Sequence, residues 1–250
     1  MAGMTRTTRR SAPPTRLRAA VALSAALALT TLAACSGDDD DSAETTEPPT
    51  AAERLAQAHD VLLEAGSVHL ELAGTDLPED QSTYIISASG DGTMDPPAFD
   101  GTITAQMAGI QADVPTVAVD GELYVKLPYV PTHVRTDPAD LGVPDPANLF
   151  DPDTGLVSLL EDTEGPELGE RRREGSEVVQ EVTGTLPGQV VRELLQAGDA
   201  DAEFEVTYGL VEEDWQVRTV VISGPFYPPA SSVYTVTLSA YGVPVTVVAP

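Results

Sequence analysis

Few residues in this chain could take part in covalent chemistry, and their spacing narrows what that chemistry is. The single cysteine, Cys35, stands in Leu32-Ala33-Ala34-Cys35, after an apolar run and just before Asp38 to Asp41. A free thiol is the nucleophile that thioether attachment needs. The tetrapeptide resembles a bacterial lipobox, where the cysteine is lipidated and becomes the first residue after cleavage. The three histidines, His59, His69 and His133, share no metal-ligand spacing and have no nucleophile motif beside them. No Gly-rich phosphate loop, G-x-S-x-G elbow or H-E-x-x-H pair occurs. Asp151-Pro152-Asp153-Thr154-Gly155, with Asp162 beyond it, faintly resembles a calcium loop. Its glycine is misplaced and the closing glutamate is missing, and helix capping accounts for the same residues. The sequence predicts no enzyme, no metal and no cofactor.

The residues around Cys35 must deliver it to a membrane. Residues 1–34 have the three parts of a secretory signal: arginines from Arg6 to Arg18, an apolar stretch of 16 residues from Ala19 to Ala34, and a small-residue cleavage site. That stretch is short for a stable membrane span. Two or three acyl chains on Cys35 would anchor firmly where one would not. Residues 35–50 then form an acidic linker without large apolar side chains, extended by its own charge. No disulfide is available, so the exported domain must be held by its core.

From Cys35 onward eight bases face all 40 acids, a formal balance of −32 against −27 for the whole chain. Such a surface repels phosphate backbones, which excludes nucleic acid as a partner. It also opposes lying flat on an anionic membrane. The expected location is the extracytoplasmic face of the cell membrane, with the domain held off the surface by its lipid anchor and linker.

The domain itself is expected over residues 51–250. Thr50-Ala51-Ala52-Glu53 is a capping box, and Leu55, Ala58, Leu62 and Ala65 recur at helical spacing up to Gly66. From Ser67 the period becomes two. Val68, Leu70 and Leu72 alternate with polar residues, as do Ile103, Ala105 and Met107. Val117 and Val119 lead to a hairpin turn at Asp120-Gly121, followed by Leu123, Val125 and Leu127. "SGDGTMDPPAFDG" reads as turns. Thr154 or Asp153 is placed as the cap of a helix over Leu156 to Leu160, and "TLPGQVVRELLQAG" as a second helix stopping at Gly198. Strands are predicted at 178–182, 204–208, 215–222, 233–241 and 243–248. The basic cluster Glu170 to Glu174, "ERRRE", reads as a solvated turn or strand edge, with a lipid headgroup contact as the sharper alternative. Nine or ten strands with few helices give one α+β domain whose large antiparallel sheet curls.

Together the lipobox, "AGSVHLEL", "VAVDGELYVKL", "DPANLFDPDTGLVSLLED" and "TLSAYGVPVTVVAP" resemble the LppX/LprG family of actinobacterial lipoproteins, from about Ala51 to Pro250. The resemblance implies a LolA-like half-barrel with an apolar cavity between the curved sheet and its helices. It implies binding of acylated glycolipid or phospholipid, and for some members a membrane efflux transporter as partner. It places Ile103 on the cavity wall. Period-two alternation puts Ala105 and Met107 on the same face, and Val117, Val119, Leu123 and Val125 are expected as further lining. The same residues would serve equally as plain core. The competing function is a surface-tethered binding or sensory module for a protein or a cell-wall polymer, which would need an exposed apolar patch instead of a cavity.

Overall fold

Thr50 starts the first helix as its spacing demands. The Thr50 hydroxyl accepts from the Glu53 amide at 3.3 Å, and the Glu53 carboxylate accepts from the Thr50 amide at 2.8 Å. Helix α1 (Ala51–Ala65) ends where Gly66 turns to φ 67°, a left-handed conformation that favours glycine. Leu55, Ala58 and Leu62 form its buried stripe. These features come from a computed structural model that describes residues 48–79, 83–107, 109–127, 130–138 and 143–250. The signal segment, Cys35 and most of the acidic linker lie outside the described residues. Residues Glu47–Pro250 form one compact unit.

Eleven strands follow: β1 (Ser67–Thr75), β2 (Thr83–Met94), β3 (Pro97–Met107), β4 (Ile110–Val119), β5 (Glu122–Val125), β6 (Val134–Thr136), β7 (Glu164–Glu174), β8 (Glu177–Pro187), β9 (Glu203–Val211), β10 (Val217–Tyr227) and β11 (Ala230–Ser239). They make one antiparallel sheet in the order β6-β5-β4-β3-β2-β1-β11-β10-β9-β8-β7. Two meanders therefore form the wings, and the first and last strands join them at the centre, with His69 opposite Ser239 and Thr75 opposite Val233. The sheet is curved and open.

Short helices fill the concave side. A 3-10 helix (Pro146–Phe150), α2 (Ser158–Glu161) and α3 (Gly188–Leu195) join α1 there. One core runs between them and the sheet, with Leu62, Leu70, Phe99, Phe150, Leu159, Phe204 and Leu238 all nearly inaccessible. Tyr208 ties α2 down. Its hydroxyl donates to the Leu159 carbonyl at 2.9 Å and lies 2.8 Å from the Thr163 hydroxyl. Burial pushes the Tyr208 phenol well above its ordinary value, so it stays a donor.

Several expectations need correction. "SGDGTM" and "PAFDG" are strand, parts of β2 and β3, with only Asp95-Pro96 between them. Glycine weakens a strand because it brings no side chain to pack, but here other residues supply that surface. Gly90 pairs with Gly101, and the Phe99 ring covers both. Phe150 from the 3-10 helix lies on Gly92 and stacks on Phe99 with ring centroids 6.0 Å apart. Neither Thr154 nor Asp153 caps α2, which starts after Val157 with no side-chain cap; Asp151 instead holds the preceding turn, accepting from the amides of Asp153 and Thr154. α3 stops at Gln196, φ 49°, two residues before Gly198. Trp215 is not in a strand; it turns at φ 60° with the Arg54 guanidinium 3.8 Å above its ring. Residues 243–248 form no strand, since both edges of β1 are already taken by β2 and β11. Val247 instead packs on the outer face of the sheet against Ala98, Val117 and Val119. By contrast, "ERRRE" lies where its strand-edge reading puts it, on the edge strand β7, where Arg171 pairs with Glu212 at 2.7 Å and Arg172 with Glu174 at 2.6 Å.

Candidate functional site

Under the β2-to-β5 wing, alternation brings Ile103, Ala105 and Met107 of β3 to the concave side. Cross-strand pairing sets Val114 of β4 opposite Ile103, and Thr116 of β4 opposite Val125 of β5. With Leu123, Val125 and Leu127 they form the wall of a pocket of about 60 Å³. Ile85 closes one side, and Val143, Pro144 and Pro146 lie over the top. The lining contains no ionisable group. Its one hydroxyl, on Thr116, donates to the Val114 carbonyl at 2.9 Å within its own strand. The pocket thus offers a guest dispersion contacts and no unmet hydrogen bond.

Five of the seven expected lining residues, Ile103, Ala105, Met107, Leu123 and Val125, meet here. Val117 and Val119 do not. They lie on the opposite face, in a small cluster with Ala98, Tyr124 and Val247. The two-residue turn explains the difference. Asp120-Gly121 leaves Val119 opposite Glu122 and Ala118 opposite Leu123, so odd-numbered β4 residues share a face with even-numbered β5 residues. Sequence reasoning also missed Ile85, Val114, Thr116 and the Val143-to-Pro146 cover. Val114 and Thr116 were recoverable from the same hairpin count. The cover carries no periodic signal.

The cover is pinned through Asp145, whose carboxylate accepts from the Ala147 amide at 3.0 Å and so caps the 3-10 helix. Burial pushes the Asp145 carboxyl above its ordinary value; the Ala147 amide opposes that rise and Asp137 adds to it. A carboxyl raised on folding binds its proton more readily folded than unfolded. Stability is therefore lost as pH climbs from the ordinary carboxyl value through the raised one, and stays lower above it. Asparagine caps as well as aspartate and carries no charge. We expect Asp145→Asn to be more stable than the parent near about pH 7, with the advantage gone near about pH 3. Urea midpoints at the two values check this; an equal difference at both would refute it.

A second hollow of about 80 Å³ shares Ile85, Val143 and Pro144 with the first. It is more polar. Tyr84, Tyr227 and Tyr234 line it, with exposed Thr83 and Gln196 at the rim. The Tyr227 and Tyr234 hydroxyls are 2.9 Å apart, and Tyr234 donates to the Ile85 carbonyl at 2.8 Å. A larger hollow of about 460 Å³ lies against the opposite sheet face, walled by Glu71, Ser89, Thr102, Thr104 and Asp113. Its hydroxyls and carboxylates suit water, so the apolar pocket is the better candidate for a site.

Among the described residues, no helix is long and apolar enough to cross a membrane, and no three His, Cys, Asp or Glu residues are placed to hold a metal ion. A long antiparallel sheet left open, curled over short helices, with an apolar pocket under one wing, defines an open half-barrel of the α+β class. Solved structures of similar fold include two mycobacterial proteins. LprF from Mycobacterium bovis is 20% identical, with a TM-score of 0.67 over 80% of this chain and 96% of that one. The Mycobacterium tuberculosis lipoprotein LppX is 19% identical, with a TM-score of 0.59 over 80% of this chain and all of that one. No curated protein sequence matches significantly. The LppX_LprAFG lipoprotein family model matches residues 50–247, so the chain belongs to that family.

Proposed function

We propose that this protein binds acylated lipids in the pocket around Ile103 and carries them at the outer face of the plasma membrane. In this reading Cys35 bears the acyl anchor, the acidic linker is the tether, and a membrane transporter is a partner for exchange. The observation that carries the reading is the wall itself, apolar throughout, with its single hydroxyl satisfied internally. Each methylene moved from water into such a wall contributes about 0.8 kcal/mol. A lipid therefore leaves bilayer for pocket at little net cost, while its escape into water is slow. As it stands, the pocket's free volume of about 60 Å³ is room for a few waters, less than an acyl chain needs. An acyl chain enters by moving the Val143-to-Pro146 cover aside.

Native mass spectrometry tests this on the chain from Ser36 onward, which keeps the whole compact unit, produced in an actinobacterial host. Added mass that extracts as acylated lipid is the expected result. An unliganded mass, both as purified and after incubation with mixed-lipid vesicles, would overturn the carrier and favour a tethered binding module.

A further inference from the structure

The polar hollow beside the apolar pocket has an ordered set of hydrogen-bonding groups. Tyr234 spends its one proton on the Ile85 carbonyl. The bond between the two phenols must then use the Tyr227 proton, with the Tyr234 oxygen accepting. The Tyr227 oxygen is left with acceptor capacity facing the hollow. Burial holds both phenols above their ordinary values, so neither carries charge at neutral pH. Tyr84, its ring 6.0 Å from that of Tyr227, and Gln196 make no side-chain hydrogen bond among the described residues. They offer both donors and acceptors. Gln196 is held at the rim in a left-handed conformation, φ 49°, by the hydrogen bond its backbone amide donates to the Arg192 carbonyl at 2.9 Å. No Lys, Arg or His lines the hollow, and the chain beyond the signal is strongly acidic.

We infer that this hollow is the headgroup site for the lipid whose chains enter the adjoining pocket, and that it selects an uncharged, hydroxyl-bearing headgroup over a phosphate. The inference rests on the lipid-carrier reading, since the two hollows share a wall and the guest must span both. A hydroxyl donates and accepts at once, which matches the acceptor on Tyr227 and the two-way groups on Tyr84 and Gln196. A phosphate brings acceptors and charge. It would find no cation here, and a desolvated anion without a partner is costly.

The test is competition. The chain from Ser36 onward is incubated with vesicles holding equal parts of monogalactosyl diacylglycerol and phosphatidylglycerol with identical acyl chains. The protein is re-isolated and its bound lipid weighed by native mass spectrometry. We expect the galactolipid to exceed phosphatidylglycerol by about tenfold, the worth of one or two hydrogen bonds. In Tyr227→Phe, and separately in Tyr84→Phe/Gln196→Ala, the ratio should fall to within about threefold. The second variant leaves the Tyr227–Tyr234–Ile85 hydrogen bonds in place, so it stays informative if the first unfolds. Equal binding of the two lipids by the parent, or a ratio unmoved in both variants, overturns the headgroup site and leaves the carrier standing. Binding of neither lipid overturns the carrier reading and this site with it.

Discussion

Ile103→Trp should give a folded protein that holds at least about tenfold less lipid than its parent. Ile103 projects from β3 into the pocket opposite Val114, and the free volume there is about 60 Å³. An indole in place of a sec-butyl group takes up that space and presses on the Pro144 and Pro146 cover. Overpacking of this kind costs about 1–3 kcal/mol, less than the 5–15 kcal/mol typical of a whole domain, so the fold survives. A half-buried position at a pocket wall relaxes more easily than a sealed core site. Lipid extracted per mole of protein, read beside the circular-dichroism melt, decides the matter. Parental lipid content in a cooperatively melting Ile103→Trp would remove the pocket from the mechanism.

The second large effect is on stability. Gly92→Ala should lower the melting temperature by about 6–12 °C. A Cβ at Gly92 would lie inside contact distance of the Phe150 ring. That ring is only 1% exposed and stacks on Phe99, so it has nowhere to turn without opening the core. We assign the clash about 3 kcal/mol, the upper end for overpacking, and about 2–4 °C follows from each kcal/mol in a domain of this size. Scanning calorimetry checks it; a shift below about 2 °C would mean that Phe150 is not locked as described. The effect should reach the pocket too, because Phe150 closes the 3-10 helix that Pro146 opens.

Local signals carried the reading of the sequence far where the physics is local. The Thr50-to-Glu53 box and the Leu55, Ala58, Leu62 stripe define α1, because a capped amphipathic helix contains its own instructions. Ile103, Ala105 and Met107 fall on one face because pleating fixes alternation. The glycine-rich strands were illegible for the opposite reason. Gly90, Gly92 and Gly101 look like turn residues until Phe99 covers the first and last of them and Phe150, some sixty positions on, covers Gly92. Val117 and Val119 were legible but misassigned. Alternation within each strand does not say how the two strands relate; the two-residue turn links them and reverses one of the two patterns. Residues 243–248 alternate as a strand would, yet strandness needs a free partner edge, and the sheet has none beside β1. The Val143-to-Pro146 cover and the tyrosine chain depend on tertiary contacts alone.

The pairing of β1 with β11 has a consequence for how the chain becomes a protein. It joins residues as far apart in sequence as His69 and Ser239. Closing a loop of that span costs about 4–5 kcal/mol in chain entropy before any contact rewards it. Each wing, by contrast, is a meander of neighbours and can form early. The seam between them is then the late, slow event of folding. A polypeptide made from its N-terminus presents β1 long before β11 emerges. Until β11 is made and docked, the molecule is two half-sheets, with β1 and β10 as raw edges open to any stray strand. Any factor that guards unfinished chains would therefore meet this one nearly complete and still in two halves.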